Sequence, residues 1–196
     1  MEAYDPLDYQ NLARSVVQAL LDGPERPLPP AEPFDGAGVY AIYYKGDFSA
    51  YSALAAVEPR LPIYVGKAVP KGGRKGNRQS NGRDLFRRLN GHSNNIAQAE
   101  NLELSDFTCR YLVVVPVWVT LAERFLIEHF KPVWNVAIDG FGNHDPGAGR
   151  HAMKRPRWDI VHPGRRWAEK LEAAESLEQV LSRLREFLRD ELKLSP

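Results

Sequence analysis

The chain is poor in the residues that would place it in several common classes. A single cysteine, Cys109, excludes an internal disulfide and fits a reducing compartment, and the TCRYLVVV segment around it reads as a buried strand. No run of about 18 apolar residues is present, so no membrane-spanning helix is expected. The opening MEAYDPLDYQ lacks both the basic start and the apolar stretch of a signal peptide. A cytoplasmic protein is expected. His129, His144, His151 and His162 have no cysteine partner and no zinc-ligand spacing, which excludes a zinc site. No internal repeat or low-complexity tract is present.

A net charge of +1 carries no excess that would by itself imply nucleic acid, but the charge is unevenly distributed. Between residues 1 and 35, seven acids face only Arg14 and Arg26. Between 60 and 95 the balance reverses: Arg60, Lys67, Lys71, Arg74, Lys75, Arg78, Arg83, Arg87 and Arg88 face Asp84 alone. A second basic stretch holds Arg150, Lys154, Arg155, Arg157, Arg165 and Arg166 against Asp145 and Asp159. Focused positive potential of this kind attracts phosphates even on a nearly neutral molecule, although either stretch alone reads equally well as a solvated face.

At 196 residues the chain can bury one sizeable core. The spacing of Leu12, Val16, Val17, Leu20 and Leu21 predicts an amphipathic N-terminal helix. GPERPLPPAEPFDGAG, with five prolines, predicts a linker in which nothing packs by pattern. GVYAIYY (38–44) and LPIYVG (61–66) predict neighbouring antiparallel strands, and FTCRYLVVVPV a third. RDLFRRLNGH predicts a helix, with Gly91 an obstacle to its continuation through His92. TLAERFLIEHFKPVWN predicts a helix opened by a Thr120–Glu123 capping box and stopped by Pro132. SLEQVLSRLREFLRDEL predicts an amphipathic helix that packs on its own domain or on a second copy.

Several of these elements carry groups suited to one chemistry. Tyr40 and Tyr64 sit in neighbouring strands, Arg88 and His92 lie one helical turn apart, and Glu123 opens a helix that ends near Asn135. Phosphodiester cleavage needs a cation against the phosphorane charge, a carboxylate for a divalent metal and a polar group to activate water. Each residue alone has an ordinary structural role: the tyrosines as half-buried strand residues, Glu123 as a cap, Asn135 as a turn residue. Glu128 competes with Glu123 as the carboxylate, and Arg87 with Arg88 as the cation.

At these residues the sequence resembles the GIY-YIG nuclease family. Gly38-Val39-Tyr40 and Tyr64-Val65-Gly66 match the two halves of the name, Arg88 and His92 the Arg-x-x-x-Tyr/His pair, and Glu123 and Asn135 the glutamate and asparagine twelve apart. Five elements in order, two of them at fixed spacing, are specific. The resemblance covers residues 36–137 and implies an α+β fold, a small central antiparallel sheet flanked by helices. Residues 1–35 would add an N-terminal helix and linker. Residues 138–196 would add a basic glycine-rich segment and a C-terminal helix packed on the same domain. The Lys45–Pro62 insert between the tyrosine motifs and the basic loop after Lys67 are longer than the family pattern. They favour a DNA-specific branch, and His92 with GFGNHDPG resembles the type II restriction endonucleases, closest to those that recognise CCGCGG.

The resemblance implies that Glu123 holds one Mg²⁺, which stabilises the departing 3′ oxygen. It makes Tyr40 the general base or the residue that positions water, with Lys67 favouring the phenolate and His92 accepting or relaying the proton. Arg88 would clamp the scissile phosphate, with Tyr64 and Asn135 hydrogen-bonding it or orienting its neighbours. The implied partners are double-stranded DNA, a second copy of the chain on the palindrome, and a cognate DNA methyltransferase in the host. Lys71, Arg74, Lys75, Arg78, Arg83, Arg150, Lys154, Arg155 and Arg157 are candidate DNA contacts. A structure-specific repair nuclease and a non-catalytic DNA-binding domain are the alternatives.

Overall fold

A computed structural model of the chain describes residues 5, 7–70, 82–145 and 153–192. Its centre is a four-stranded antiparallel sheet of β1 (Arg26–Pro27), β2 (Gly38–Tyr44), β3 (Tyr64–Ala68) and β4 (Phe107–Val113), in the order β1-β4-β2-β3. All seven residues of β2 are buried. Strand alternation explains how: Tyr40, Ile42 and Tyr44 enter the larger core, and Val39, Ala41 and Tyr43 a smaller one on the opposite face. The smaller core is closed by Val17 and Leu20 of α1 (Tyr9–Asp22) and by Val119, Ala122 and Leu126 of α4 (Val119–Phe130). The larger is closed by Leu85, Leu89 and Ile96 of α3 (Asp84–Gln98), Trp134 of α5 (Val133–Val136), Trp158 of α6 (Arg157–Val161) and Val180, Leu184 and Leu188 of α8 (Leu177–Leu192). The α+β fold expected from the sequence is the fold observed. Among the described residues no helix is long and apolar enough to cross a membrane.

Local chemistry explains most boundaries. The Asp8 carboxylate caps α1, accepting from the Gln10 and Asn11 amides. Ser176 and Gln179 cap α8 reciprocally. α4 ends where Lys131 turns left-handed at φ 43° ahead of Pro132. Cys109 is buried in β4, and burial pushes its thiol up to about 12.

Four local expectations are corrected. The proline-rich stretch does pack: Arg26 and Pro27 pair with Cys109 and Thr108, Leu28 is buried, and Phe34 stacks on Tyr111 at 4.0 Å. Proline is tolerated there because β1 is an edge strand with half its backbone unpaired. α3 runs unbroken through Gly91, where an added Cβ would meet nothing within 4 Å; a glycine inside a helix costs only about 1 kcal/mol, which Leu85, Leu89 and Ile96 offset by burial. β4 stops at Val113, and a 3₁₀ turn at Pro116–Trp118 leads directly into α4. Because that turn already places Trp118 in helical conformation, Trp118 occupies the cap and no side chain bonds there. The Thr120–Glu123 capping box therefore does not form, and Glu123 is free for another partner.

A short helical stretch fills the insert between the tyrosine strands: a 3₁₀ turn at Ser49–Tyr51 and α2 (Ser52–Ala55). Tyr51 sits fully buried, its hydroxyl accepting from Trp134 Nε1 at 2.8 Å and meeting His162 Nε2 at 2.6 Å.

Candidate active site

β3 lies at the edge of the sheet, and its alternation sends Tyr64 toward the larger core and Val65 toward α4 and the smaller one. Lys67, two residues on from Val65, follows it to the α4 side, where its ammonium meets Glu123 Oε2 at 2.6 Å. The candidate groups therefore wrap around a strand edge, with the tyrosines on one face and the Lys67–Glu123 pair on the other. The charge of Glu123 still reaches both Tyr40 and Tyr64, raising each hydroxyl slightly further.

Two glycines of the motif are explained by close approach. Gly38 of β2 lies against β4, where a Cβ would overlap the Leu112 carbonyl oxygen. Gly66 is the cross-strand partner of Tyr40, and a Cβ there would overlap the Tyr40 hydroxyl. The tyrosines themselves are not directly opposite: Tyr64 pairs with Ile42 and meets the Tyr40 ring at a centroid distance of 6.3 Å.

From α3, His92 presents Nε2 to the Tyr40 hydroxyl at 2.6 Å. Burial, seconded by Arg88, pushes His92 well below its ordinary pKa; burial, seconded by Tyr64, pushes Tyr40 well above its own. Both are therefore neutral at physiological pH and joined by a single hydrogen bond. His92 Nδ1 is buried without a hydrogen-bond partner, so an imidazolium formed there has nothing to stabilise it and returns its proton readily. The expected help from Lys67 to a Tyr40 phenolate is not what the geometry provides, because Lys67 is committed to Glu123. Tyr64 is the partly exposed member of the group; burial raises its hydroxyl, and Arg88 offsets part of the shift.

Arg88 projects beside these hydroxyls. Its Nη1 lies 2.7 Å from His144 Nε2, its Nη2 donates to the Gly142 carbonyl at 3.4 Å, and its Nε is buried without a partner. Arg87, its rival, points elsewhere and pairs with Asp84. Glu128 is likewise turned away: it binds Arg124 and the Tyr9 hydroxyl, whose hydrogen bond leads in holding its carboxyl below the usual range. Glu123 is thus the carboxylate of α4 nearest the tyrosines. Among the described residues no group of three or more His, Cys, Asp and Glu side chains forms a cage. A single part-exposed carboxylate suits a hard cation that keeps several waters and takes further oxygens from a phosphate.

Asn135 closes on the backbone of β3. Its Oδ1 accepts from the Val65 amide and its Nδ2 donates to the Val65 carbonyl, both at 2.8 Å. The amide imitates a neighbouring strand at the open edge of β3 and fixes the backbone that carries Tyr64, Gly66 and Lys67. A β-strand edge offers paired donors and acceptors, and a side-chain amide satisfies one such pair.

Of the candidate DNA contacts, Lys71, Arg74, Lys75, Arg78 and Arg150 lie outside the described residues. Arg83 opens α3, is exposed and pairs loosely with Asp35 at 3.5 Å. The other three are engaged within the chain: Lys154 with Glu172, Arg157 with Glu175 and Asp139, and Arg155 with the carbonyls of Ala168, Glu169 and Leu171. Sequence reasoning used the GFGNHDPG loop after α5 only as a mark of family likeness and gave its residues no role at the site. Phe141 stacks on the His92 ring at 4.6 Å and meets Tyr64 edge-on at 4.9 Å, while Gly142 and His144 reach Arg88. A histidine within that segment was the signal for a role at His144, and the zinc-spacing criterion discards it.

A search of curated proteins finds no match to this chain. The family of the Eco29kI GIY-YIG domain matches residues 32–188, most of the sequence, and takes in strands β2 to β4, α3, α4 and most of α8. The chain therefore belongs to this restriction-endonuclease branch of the GIY-YIG nucleases and carries a nuclease domain.

Proposed function

We propose that the protein is a type II site-specific deoxyribonuclease that hydrolyses both strands of double-stranded DNA at a GC-rich palindrome, CCGCGG, leaving 5′-phosphate and 3′-hydroxyl ends. The observation that carries this reading is the convergence of Tyr40, Tyr64, Arg88 and His92 on one side of the β3 edge with Glu123 on the other.

Arg88, half-buried beside the tyrosine hydroxyls, supplies the positive charge for the scissile phosphate. Tyr64, the most accessible hydroxyl, meets the attacking water first. Tyr40 and His92 behind it accept the proton, the phenol passing its own hydrogen to the neutral Nε2 as it receives another. The neutral Nε2 supplies the vacant lone pair that a protonated phenol lacks. Glu123 would hold Mg²⁺, which when bound supplies charge neutralisation at the departing 3′ oxygen. Lys67 must then release Glu123, and its freed ammonium adds to the positive field at the strand edge.

The palindrome rests on the family resemblance, and arginine reading of guanine O6 and N7 suits it. One core has one set of these groups, so cutting both strands calls for two copies on a two-fold axis. A host carrying such an enzyme needs a methyltransferase of the same specificity, and the substrate places both in the cytoplasm. Digestion of a plasmid of known sequence with Mg²⁺ tests the reading. Fragments with ends at CCGCGG are expected. Random nicking, or cutting only at branched junctions, would replace it with a structure-specific nuclease.

A further inference from the structure

Arg165 is the most deeply buried charge among the described residues, at 1% exposure, and all five of its N–H donors are used. Nε and Nη2 grip the two oxygens of Asp159, each at 2.6 Å. Nη1 donates to the Phe141 and Asn143 carbonyls, both at 3.1 Å, and Nη2 to the Gly140 carbonyl at 3.0 Å. The guanidinium carbon lies over the indole of Trp158 at 4.6 Å and over that of Trp167, in α7 (Arg166–Glu169), at 4.9 Å.

Fold stability alone does not account for this arrangement, since a buried ion pair is commonly replaceable by apolar side chains at little cost. Its specificity lies in the three carbonyls. They converge on one guanidinium only when residues 140–143 adopt a single backbone shape, which is the shape that lays Phe141 on His92 and turns the Gly142 carbonyl and His144 to Arg88. The fit is close: a Cβ at Gly142 would stand 2.8 Å from the Tyr64 hydroxyl and 3.3 Å from Arg88 Nη2. Arg165 is itself registered to the helix that carries Arg88 and His92. The Pro163 carbonyl accepts from the Glu100 amide, and Gly164, at φ 128°, lies so near the end of α3 that a Cβ would overlap the Gln98 carbonyl.

We propose that Arg165 is a positioning residue for the nuclease reaction: its guanidinium templates the 140–144 loop so that Arg88, His92 and Tyr64 are held in their working geometry. The inference rests on the nuclease reading of that site. Its electrostatics point the same way: burial first, then Arg88, lower the pKa of both His92 and His144, and the Arg165 charge adds to the effect.

The test is steady-state cleavage of a plasmid substrate by the full chain and by Arg165→Lys, at a temperature where circular dichroism shows the variant folded. Lysine keeps the charge and loses the planar fork. A displacement of about 1 Å at reacting groups costs on the order of a hundredfold, so kcat should fall about 10- to 100-fold while KM stays within about twofold. The His92 ring-proton resonances should also lose the upfield shift given by the stacked Phe141. An unchanged kcat in folded Arg165→Lys, or a rise in KM alone, overturns the assignment. If Arg165→Lys does not fold, the decision passes to Trp167→Leu, which removes one indole from the guanidinium and leaves every hydrogen bond in place. There a kcat at least threefold below the parent at unchanged KM supports the proposal, and parental kcat overturns it. Failure of the parental protein to cut DNA with Mg²⁺ defeats the nuclease reading and this inference with it. Equal cleavage by the parent and folded Arg165→Lys defeats only the role of Arg165.

Discussion

Protonation of His162 should set the acid stability of this fold. The imidazole is wholly buried; Nε2 accepts from the Tyr51 hydroxyl at 2.6 Å and Nδ1 donates to Asn101 Oδ1 at 2.9 Å, so both nitrogens are satisfied in the neutral form. A second proton would remove the acceptor that Tyr51 uses, and burial pushes the pKa down to about 3, Arg165 adding to the effect. The unfolded chain has the ordinary value near 6.5. Above that value neither state is protonated and His162 contributes no pH dependence. Below it the unfolded state binds a proton that the folded state refuses, so stability falls as pH falls, by about 1.4 kcal/mol per unit, until the folded ring titrates near 3. The loss from this one ring is about 2 kcal/mol at pH 5 and approaches about 5 kcal/mol at the acid end of the window. His92 is shifted in the same direction, so the parent alone does not isolate the effect. His162→Gln does, because glutamine accepts and donates at similar positions without titrating, and all other groups cancel in the difference. Urea unfolding of both proteins at pH 7.5, 6 and 5 measures it. The parent should lose about 2 kcal/mol more than the variant between the first and last of these. A difference below about 0.5 kcal/mol would mean that the ring is hydrated or freely protonated in the folded state, and would refute the reasoning.

Replacement of Glu123 by Gln should leave DNA binding intact, as a gel-shift assay reads it, and slow Mg²⁺-dependent cleavage by at least about a hundredfold; near-parental cleavage would move the metal elsewhere. Tyr40→Phe removes only a hydroxyl from a buried ring and should fold normally yet cut far more slowly, whereas activity within about threefold of the parent, equivalent to about 0.7 kcal/mol of barrier, would reduce Tyr40 to packing. Asn135→Ala leaves the Val65 amide and carbonyl unpaired at the strand edge and should cost about 1–3 kcal/mol in denaturant unfolding; unaltered stability with lost cleavage would show instead that Asn135 acts on the substrate.

Asn135 and Glu123 show why spacing alone did not separate roles. Both belong to the motif, and the twelve residues between them are readable, but one side chain faces Lys67 across β3 and the other closes on the backbone of Val65. The Thr120–Glu123 pattern was a valid local signal for a cap. It was overridden because the preceding 3₁₀ turn had already begun the helix, which depends on where β4 ends. The rival residues Arg87 and Glu128 are separable from Arg88 and Glu123 only through their neighbours, Asp84 in one case and Tyr9 and Arg124 in the other.

The sequence by itself determined the class of fold, the two tyrosine strands and the helices bearing Arg88, His92 and Glu123, because these follow from local periodicity and from glycines whose missing side chains are required at close contacts. It also marked the family, through residue types at fixed separations. The tertiary structure alone decided that β3 is the edge strand, that the candidate groups wrap around it, and that the neutral Tyr40–His92 pair lies in the interior. It alone brought the 140–144 loop and Arg165 to the site. The physical reason is range: helix and strand patterns are encoded over a few residues, whereas burial, the pKa shifts it causes and the five acceptors around one guanidinium arise from segments brought together only when the core closes.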